Sequence, residues 1–358
     1  MLKILLVGNY PPPFGGISVH LQLLHCLLRR EGIDCLVLNI DPQAFPSRNY
    51  IKISNYANFL IRLITASHGR VVHLHTNGHN SKSWWLAAVT GWLSNLFGRG
   101  AIVTIHSGLA PDYIKNACYW RQLLIKLALI PQSFIICVNS NISAELNTSS
   151  YCREKTRLMP AFLFDRRERI GLDDELAGLL TQFDPLLSIV AFFRPEYGVE
   201  LLIEALAILK KDFPRIGCVI MGSGNGKAKL RQLAIDCGVA NNLLWLGDLD
   251  HSKCLGVMKS SRLFVRPTLA DGDSISVREA LQLGVSVVAS DVGYRPPSVI
   301  LFRSGDAVDL ATKCGNALLV DQTAHQINSS TSDLLSLMID TYNSISQSQA
   351  VGSELWRG

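Results

Sequence analysis

The sequence predicts an α/β protein built on two doubly wound parallel sheets, and three observations lead to this prediction. Short, almost wholly apolar runs alternate with longer segments of helical period, as in parallel sheets covered by helices on both faces. The alternation pauses once, in the charged, proline-containing stretch 159–185, and then starts again. The chain has 358 residues, more than a single hydrophobic core usually holds.

The first half of the chain supplies one predicted sheet. Its expected strands are nearly all apolar and end in turn residues; they are 3–8, 35–40, 71–75, 101–105 and 134–138. Helices are expected between them, near 17–31, 55–67, 82–97, 113–130 and 140–148. Strands and helices that alternate in this way form right-handed βαβ units within one sheet.

The second half repeats the pattern, with expected strands at 186–193, 217–222, 243–247, 263–267 and 285–290. We therefore predict a Rossmann-like N-terminal domain over 1–165 and a similar C-terminal domain over 166–330, joined by a linker near 160–185. Residues 331–358 form a tail with a helix near 333–345 that either packs back on the first domain or frays. The two domains are expected to face a central cleft, with ligands beyond the carboxyl ends of the strands.

The amino-acid composition indicates a folded protein, its cellular compartment and the charge of its partners. Hydrophobic residues make up 48% and charged residues 18% of the chain, which favours a folded protein over a disordered one. The nine cysteines include no C-x-x-C pair, which indicates reduced thiols in a cytoplasmic protein. The sequence has no recognisable secretory signal and no apolar run of about 20 residues. The formal net charge of +5 favours anionic partners without naming one.

One stretch, "RPTLADGDSISVREALQLG" at 266–284, combines small hydroxyl residues, a glycine and two carboxylates at the mouth of a predicted helix that ends before a left-handed glycine cap. If the helix begins near 274–276, its first amide groups and its dipole suit a phosphate or diphosphate. Gly272 allows a ligand to approach the backbone closely. Glu279, one turn inside the helix, and Asp271, before the turn, suit neutral hydroxyls such as those of a ribose or a sugar.

Two other interpretations of this stretch stay open. Ser276-x-x-Glu279 is the pattern of a capping box, and Asp273 or Ser274 could be a plain N-cap. "DGD" also has the spacing of a D-x-D metal motif, which needs further oxygen ligands that the neighbouring sequence does not supply.

The segment "DGDSISVREALQLGVSVVASD" resembles the E-x7-E region of family 4 glycosyltransferases, which have the two-domain GT-B fold. Asp271 stands where that pattern has its first Glu, and Ser286 stands where it has a proline. The resemblance extends over most of the chain. "ILLVGNYPPPFGGISVHLQLLHCLLRREG" is similar to the family's first strand, glycine loop and helix; "VVHLHTN" and "AIVTIHSG" are similar to its next strand ends. "LLIEALAILKKDFPRIGCVIMGSGNGKAKLRQL" is similar to its donor-binding half.

The resemblance implies a hexosyltransferase-type enzyme that moves a sugar from a UDP- or GDP-sugar to a hydroxyl of a glycan or lipid-linked acceptor, in polysaccharide or cell-envelope glycan biosynthesis. It implies retention of the anomeric configuration, no metal or other cofactor, and no nucleic-acid partner. The catalytic residues carried over are Asp271 and His106, at the donor sugar, and Glu279, at the ribose. The implied donor-binding positions are Gly16, Arg194, Gly222, Gly224, Gly272, Ser274, Ile275, Ser276 and Glu279.

The resemblance weakens at the cations expected to bind the diphosphate. The family supplies an Arg and a Lys from G-R-x-x-x-x-K-G, whereas this chain has "AFFRPEYGVE", with Arg194 shifted and Tyr197 in the place of the Lys. Our hypothesis is that Arg194 takes the main diphosphate role, helped by Arg266, Arg278 or Arg295. The alternative is that Arg194 is a surface residue beside a proline turn.

Histidines and glycines elsewhere suggest other sites. His73, His75 and His79 in "HLHTNGH" could bind zinc if the fold brought them together, although their spacing alone does not. "MGSGNGK" at 221–227 approaches a dinucleotide fingerprint, but the loop after the first strand has no G-x-G-x-x-G, which argues against an NAD-dependent dehydrogenase.

Three tryptophans, Trp84, Trp85 and Trp92, lie between basic residues in the predicted helix 83–97. Such a segment either packs inside the domain or contacts a membrane interface as a peripheral surface, on the inner face of the plasma membrane for a cytoplasmic protein.

Two competing functions also stay open. They are a sugar-nucleotide epimerase on the same fold and a non-catalytic nucleotide-sugar-binding protein, which the departures at Asp271 and Tyr197 would suit.

Overall fold

The computed structural model describes residues 2–12, 15–160, 170–320 and 331–354. The chain divides into two compact units. The first comprises Met1–Asp165 with Ser329–Gly358, and the second comprises Arg166–Asn328. Of the linker expected at 160–185, residues 161–169 lie outside the described residues.

The described residues of the first unit form a seven-stranded parallel sheet in the order β3-β2-β1-β4-β5-β6-β7. The strands are β1 (Lys3–Gly8), β2 (Asp34–Asn39), β3 (Ile51–Lys52), β4 (Val71–Thr76), β5 (Ala101–Ile105), β6 (Phe134–Cys137) and β7 (Thr156–Leu158). The helices are α1 (Gly16–Arg30), α2 (Tyr56–Ser67), α3 (Ser81–Phe97), α4 (Ala110–Lys115), α5 (Tyr119–Leu129), α6 (Ser140–Leu146) and α7 (Ser150–Arg153).

The described residues of the second unit form a six-stranded parallel sheet in the order β10-β9-β8-β11-β12-β13. The strands are β8 (Leu186–Val190), β9 (Gly217–Met221), β10 (Leu243–Gly247), β11 (Leu263–Arg266), β12 (Ser286–Ser290) and β13 (Ile300–Phe302). The helices are α8 (Asp174–Leu180), α9 (Val199–Leu209), α10 (Lys227–Asp236), α11 (His251–Ser260), α12 (Ile275–Gln282) and α13 (Ala307–Leu319). The prediction of two parallel-sheet α/β domains is confirmed.

The first sheet is covered on both faces, as its apolar strands predicted. Along β1, Leu5 and Val7 belong to one core, whereas Ile4 and Leu6 belong to the other. This division follows from the period of two in a strand, which sends successive side chains to opposite faces.

The helix α14 (Thr331–Glu354) is grouped with the first unit. Leu335, Met338, Tyr342 and Ile345 join the core that contains Ile4 and Leu6, and Tyr342 is fully buried. None of the described helices has a segment long and apolar enough to cross a membrane.

The sequence missed some elements for identifiable reasons. β3, β7 and β13 are strands of two or three residues at sheet edges, too short for an apolar pattern. The single helix expected at 113–130 is two helices, because the backbone of Cys118 is extended at the start of α5. The expected strand 186–193 ends at Val190, before the loop that carries Arg194.

Candidate active site

The stretch singled out in the sequence forms the loop between β11 and α12 in the second unit. Pro267 follows β11 directly, and α12 begins at Ile275 with Ser274 as its extended N-cap residue. Val285 N donates to Ala280 O, and Gly284 has a φ of +77°, so the predicted left-handed cap after α12 is confirmed.

The first turn of α12 is not closed by a capping side chain. Within the described residues, Ser274 makes no side-chain cap, and its hydroxyl instead pairs with that of Ser276 at 3.1 Å. The alternative capping box of Ser276 and Glu279 does not form, because Ser276 is already inside the helix and Glu279 bonds elsewhere. The amide groups at the start of α12 are therefore the kind of site that binds an anion.

Asp271 is held by two arginines. Arg266 Nε donates to Asp271 Oδ2 at 3.0 Å, and Arg295 Nη2 lies 3.1 Å from the same oxygen. Thr268 Oγ1 also donates to Oδ2, at 3.2 Å. Burial raises the pKa of Asp271, but Arg266 and Arg295 outweigh burial and hold that pKa at about 2. Asp271 is thus an ionised carboxylate at neutral pH.

Asp273 and Arg278 form a second buried pair in the same loop. Arg278 Nε and Nη2 donate to the two carboxylate oxygens of Asp273 at 2.7 Å and 2.9 Å. Burial raises the pKa of Asp273, and the bond to Arg278 opposes that rise. Because arginines occupy both carboxylates of "DGD", the D-x-D metal interpretation has no support here.

Glu279 is buried, and its partner was not foreseen. His251 Nε2 lies 2.6 Å from Glu279 Oε1, and the two side chains are 11% and 5% exposed. His251 begins α11, where Asp250 caps the helix by accepting from the Lys253 amide. Nothing local links residues 251 and 279, so sequence reasoning had no signal for this pair.

The backbone conformation and the packing require glycine at some of the predicted positions but not at others. Gly222 and Gly224 have φ values of +131° and +153°. A Cβ on Gly222 would lie 2.0 Å from Ala191 O, and one on Gly224 would lie 2.9 Å from Phe193 N. Both glycines therefore let the loop after β9 pass against the loop after β8. Gly16, the first residue of α1, has open space around it.

Arg194 lies on the surface of the second unit. Its side chain is 69% exposed and is 3.9 Å from Glu196, and its guanidinium lies 5.7 Å from the ring centre of Phe192. Tyr197, in the place of the family's Lys, stacks instead with Arg266, whose guanidinium carbon is 5.2 Å from the ring centre. The loop that carries Asp271 thus gathers Arg266 and Arg295, while Arg194 lies outside that network.

In the first unit, the half-buried His106 belongs to a cluster with two buried imidazoles. His106 Nε2 is 3.1 Å from His75 Nδ1, and His20 from α1 completes a group whose ligand nitrogens lie within 4.8 Å of one another. Burial lowers the pKa of His75 and of His106 well below 6.5, so both are neutral at pH 7. Neutral imidazoles can ligate zinc or donate and accept hydrogen bonds to sugar hydroxyls.

The zinc set considered from the sequence does not assemble. His73 is 2.7 Å from Tyr342 Oη and 2.6 Å from Thr104 Oγ1, and His79 Nδ1 is 2.8 Å from Ser107 Oγ. His20, which α1 brings to His75 and His106, was missed because only tertiary packing joins α1 to β4 and β5.

The comparisons with known proteins agree with this chemistry. The sequence profile of the family described as "Glycosyl transferases group 1" matches residues 180–331. The gpi3 subunit of phosphatidylinositol N-acetylglucosaminyltransferase from Schizosaccharomyces pombe is 25% identical over 220 residues, which cover 58% of this chain and 45% of that protein. A phosphatidylinositol N-acetylglucosaminyltransferase subunit from Arabidopsis thaliana is 22% identical over 346 residues, 89% of this chain and 75% of that protein. The match thus spans less than half of the S. pombe protein.

Solved structures share the fold. Anabaena HepE in complex with UDP-glucose has a TM-score of 0.71 at 16% identity, covering 98% of this chain and 100% of that chain. Sucrose-phosphate synthase from Thermosynechococcus elongatus has a TM-score of 0.70 at 18% identity, covering 100% of both chains. The match to the group 1 glycosyltransferases lies on the second unit, which carries Asp271, Glu279 and α12.

Proposed function

We propose that this protein transfers a sugar from a nucleoside-diphosphate sugar to a hydroxyl of a glycan or lipid-linked acceptor. The single observation that carries the proposal is the β11–α12 region, where an uncapped helix start, the buried carboxylates Asp271 and Glu279 and the buried Arg266 lie in one segment and Arg295 reaches Asp271 from beyond β12. The profile match to the group 1 glycosyltransferases over residues 180–331 supports the same reaction. Relatives that are named phosphatidylinositol N-acetylglucosaminyltransferases and a GDP-mannose-dependent mannosyltransferase support a role in glycan assembly.

Departure of the diphosphate is the step that this loop can assist. Breaking the bond between the sugar and the phosphate leaves negative charge on the nucleoside diphosphate. Amide groups at the start of α12 and the guanidinium groups beside Asp271 are fixed in place, so they stabilise that charge without reorganising. Losing one such donor typically slows an enzyme by about 100-fold or more.

Asp271 acts in this proposal as a positioning and hydroxyl-binding carboxylate. A carboxylate with a pKa of about 2 is a weak base at neutral pH, which makes it unsuited to removing a proton from the acceptor. Its bonds to Arg266 and Arg295 orient both guanidinium groups, and a sugar hydroxyl can donate to it as well.

Glu279 is assigned to the donor ribose. A carboxylate has two oxygens, so the bond from His251 at Oε1 is compatible with a ribose hydroxyl at Oε2. His251 holds the carboxylate in one orientation, and we assign it that positioning role. His106 and His75 offer neutral imidazoles in the first unit, which suits contacts to sugar hydroxyls.

An exposed apolar face of the first unit supports a lipid-linked acceptor. Trp84 is fully buried, but Trp92 is 47% and Trp120 is 74% exposed, and Trp92 Nε1 donates to Leu127 O to join α3 to α5. The other exposed apolar residues of these two helices include Trp85, Leu96, Phe97, Tyr119, Leu123 and Leu127. The exposed cations Lys115, Arg121 and Lys126 accompany this face. Aromatic and basic side chains together favour an anionic lipid surface, here the inner face of the plasma membrane.

Liposome flotation tests the membrane part of the proposal. The protein should float with vesicles that contain anionic lipid and remain behind with phosphatidylcholine alone. Replacing Trp120 and Leu123 by Ser should lower binding by about tenfold or more, because both apolar side chains leave the lipid. Ile235→Ser, which removes a 60% exposed apolar residue from the second unit, should leave flotation unchanged. Equal flotation of all variants would remove the α3–α5 face from the proposal.

Nucleotide release from a panel of UDP- and GDP-sugars, with and without lipid and sugar acceptors, tests the reaction. Release that depends on the acceptor supports transfer, and NMR of the product gives the anomeric configuration, which we propose is retained. A new sugar nucleotide without nucleotide release would identify an epimerase. Binding without any turnover would identify a non-catalytic protein.

We also propose that the reaction needs no metal. EDTA should leave turnover unchanged, since arginines and helix amides can neutralise the diphosphate in place of a divalent ion. The cluster of His20, His75 and His106 makes zinc the ion to test. Loss of activity in EDTA that zinc restores would show that this part of the proposal is wrong.

A further inference from the structure

The second unit buries more positive than negative charge around Asp271. Arg266 and Arg295 both bond this one carboxylate, and their side chains are 11% and 4% exposed. The neighbouring pair of Asp273 and Arg278 is neutral as a whole. Two guanidinium groups therefore face one carboxylate in the described network, which leaves one positive charge in excess. A buried charge without a counter-ion is costly, so the excess indicates an anionic ligand.

Hydrogen bonds distinguish the two arginines. Arg295 uses four of its five N–H groups within the protein, donating to Ser290 O, Tyr294 O, Thr268 Oγ1 and Asp271 Oδ2. Arg266 uses three, two toward Asp271 and one toward Val190 O at 3.0 Å. Arg295 is thus the fixed counter-ion of Asp271. The other two N–H groups of Arg266 have no acceptor among the residues that the structure describes, so they can bind an external acceptor.

Arg266 also lies where a ligand of a parallel sheet binds. It ends β11, and its bond to Val190 reaches the end of the neighbouring strand β8. Ligands of open parallel sheets bind beyond these carboxyl ends. The loop that begins after Arg266 leads into the uncapped start of α12, which favours the same kind of anion.

Tyr197 fixes the orientation of the Arg266 guanidinium. The ring of Tyr197 lies 5.2 Å from Arg266 Cζ, and Phe192 packs edge-on against Tyr197 with ring centres 5.6 Å apart. Stacking on an aromatic ring restricts the orientation of the planar guanidinium. A Lys at position 197 would place a charge there directly, whereas here Tyr197 supports a charge supplied by Arg266.

We propose that Arg266, stacked on Tyr197 and oriented by Asp271, binds the diphosphate of the donor in place of the missing Lys. This inference rests on the proposed function. It replaces the hypothesis, drawn from the sequence, that Arg194 takes the main role, since Arg194 is exposed. Arginine can hold two phosphate oxygens with parallel bonds, so one residue supplies both charge and orientation.

Calorimetric titration with UDP and GDP, and with uridine and guanosine, tests the proposal. Arg266→Leu should weaken binding of the preferred diphosphate by about 10- to 100-fold, the range for a charged hydrogen bond. Binding of the matching nucleoside should stay unchanged, which also shows that the variant is folded. Arg266→Lys should recover part of the affinity. The double variant Tyr197→Lys, Arg266→Leu should also recover part of the affinity, because a cation returns to the site.

Two controls keep the inference separate from the proposed function. Arg303→Leu removes an arginine that is 79% exposed in the same unit and should bind the diphosphate like the wild type. If Arg266→Leu binds like the wild type while Arg194→Leu loses affinity, the inference is wrong and the proposed function stands. If the wild-type protein binds neither UDP nor GDP, both are wrong.

Discussion

Mild acid should destabilise the first unit through His73, His75 and His106. Burial lowers the pKa of His73 to about 3 and lowers the pKa values of His75 and His106 well below 6.5. Each histidine stays neutral in the folded unit while the unfolded chain takes up a proton. The stabilising contribution of each is therefore fully present above pH 6.5 and is lost as the pH falls from 6.5 toward the folded pKa.

The magnitude follows from linkage alone. Between pH 7.5 and 5.5 an unfolded histidine goes from about one tenth to about nine tenths protonated, whereas folded His73, with a pKa of about 3, stays neutral. This difference lowers the free energy of unfolding by about 1.4 kcal/mol for His73, and the lowered pKa values of His75 and His106 act in the same direction. Since a typical domain has roughly 5–15 kcal/mol in total, the loss is large.

Hydrogen exchange of β4 and β5 at the two pH values measures this change, after correction for the intrinsic exchange rate. His73→Asn should reduce the pH effect by about 1.4 kcal/mol, because the protonation site with a pKa of about 3 is lost. His68→Asn, which changes an exposed histidine after α2, should leave the pH effect intact. A wild-type difference below about 1 kcal/mol would refute the reasoning.

Three outcomes are expected in the second unit. Asp271→Asn should lower kcat by about 100-fold, because Arg266 and Arg295 then lack their shared carboxylate; an unchanged kcat would contradict this role. Glu279→Gln should raise the KM for the donor by about tenfold, since a neutral amide accepts a weaker ribose bond, and an equal KM would argue against ribose contact. Gly222→Ala should lower the urea midpoint by more than Gly238→Ala. At Gly238, φ is +70° and an added Cβ would have no atom within 4 Å, so Gly238→Ala costs about 1–2 kcal/mol of backbone strain alone. Gly222→Ala adds a collision between the new Cβ and Ala191. Equal midpoints would show that the collision relaxes.

Much of the fold could be predicted because the pattern that specifies it is local. A strand such as β9 is buried along its whole length and is therefore apolar throughout, and this can be seen in residues 217–221 without reference to any neighbouring strand. An edge strand such as β13 pairs with only one neighbouring strand and has three residues, so its composition gives little indication that it is a strand. The break between α4 and α5 was likewise hidden, because both segments are helix-forming and a few residues at their junction turn the chain.

The site divides in the same way. Its local part was predictable, because Asp271, Gly272, the start of α12 and the cap at Gly284 lie within one segment whose residues indicate a helix mouth. The residues that bond to Asp271 and Glu279 from other segments could not be predicted. The bond from Arg295 to Asp271 spans 24 positions, and the bond between His251 and Glu279 spans 28.

The sequence by itself determined the two α/β units, the order of their strands along the chain and the position of the loop that leads into α12. Only the tertiary structure decided that Arg266 and Arg295 surround Asp271, that His251 holds Glu279, and that His20 joins His75 and His106. The physical reason is that periodicity reports whether a side chain faces a core, whereas charge pairing depends on which strand ends the sheet order brings together.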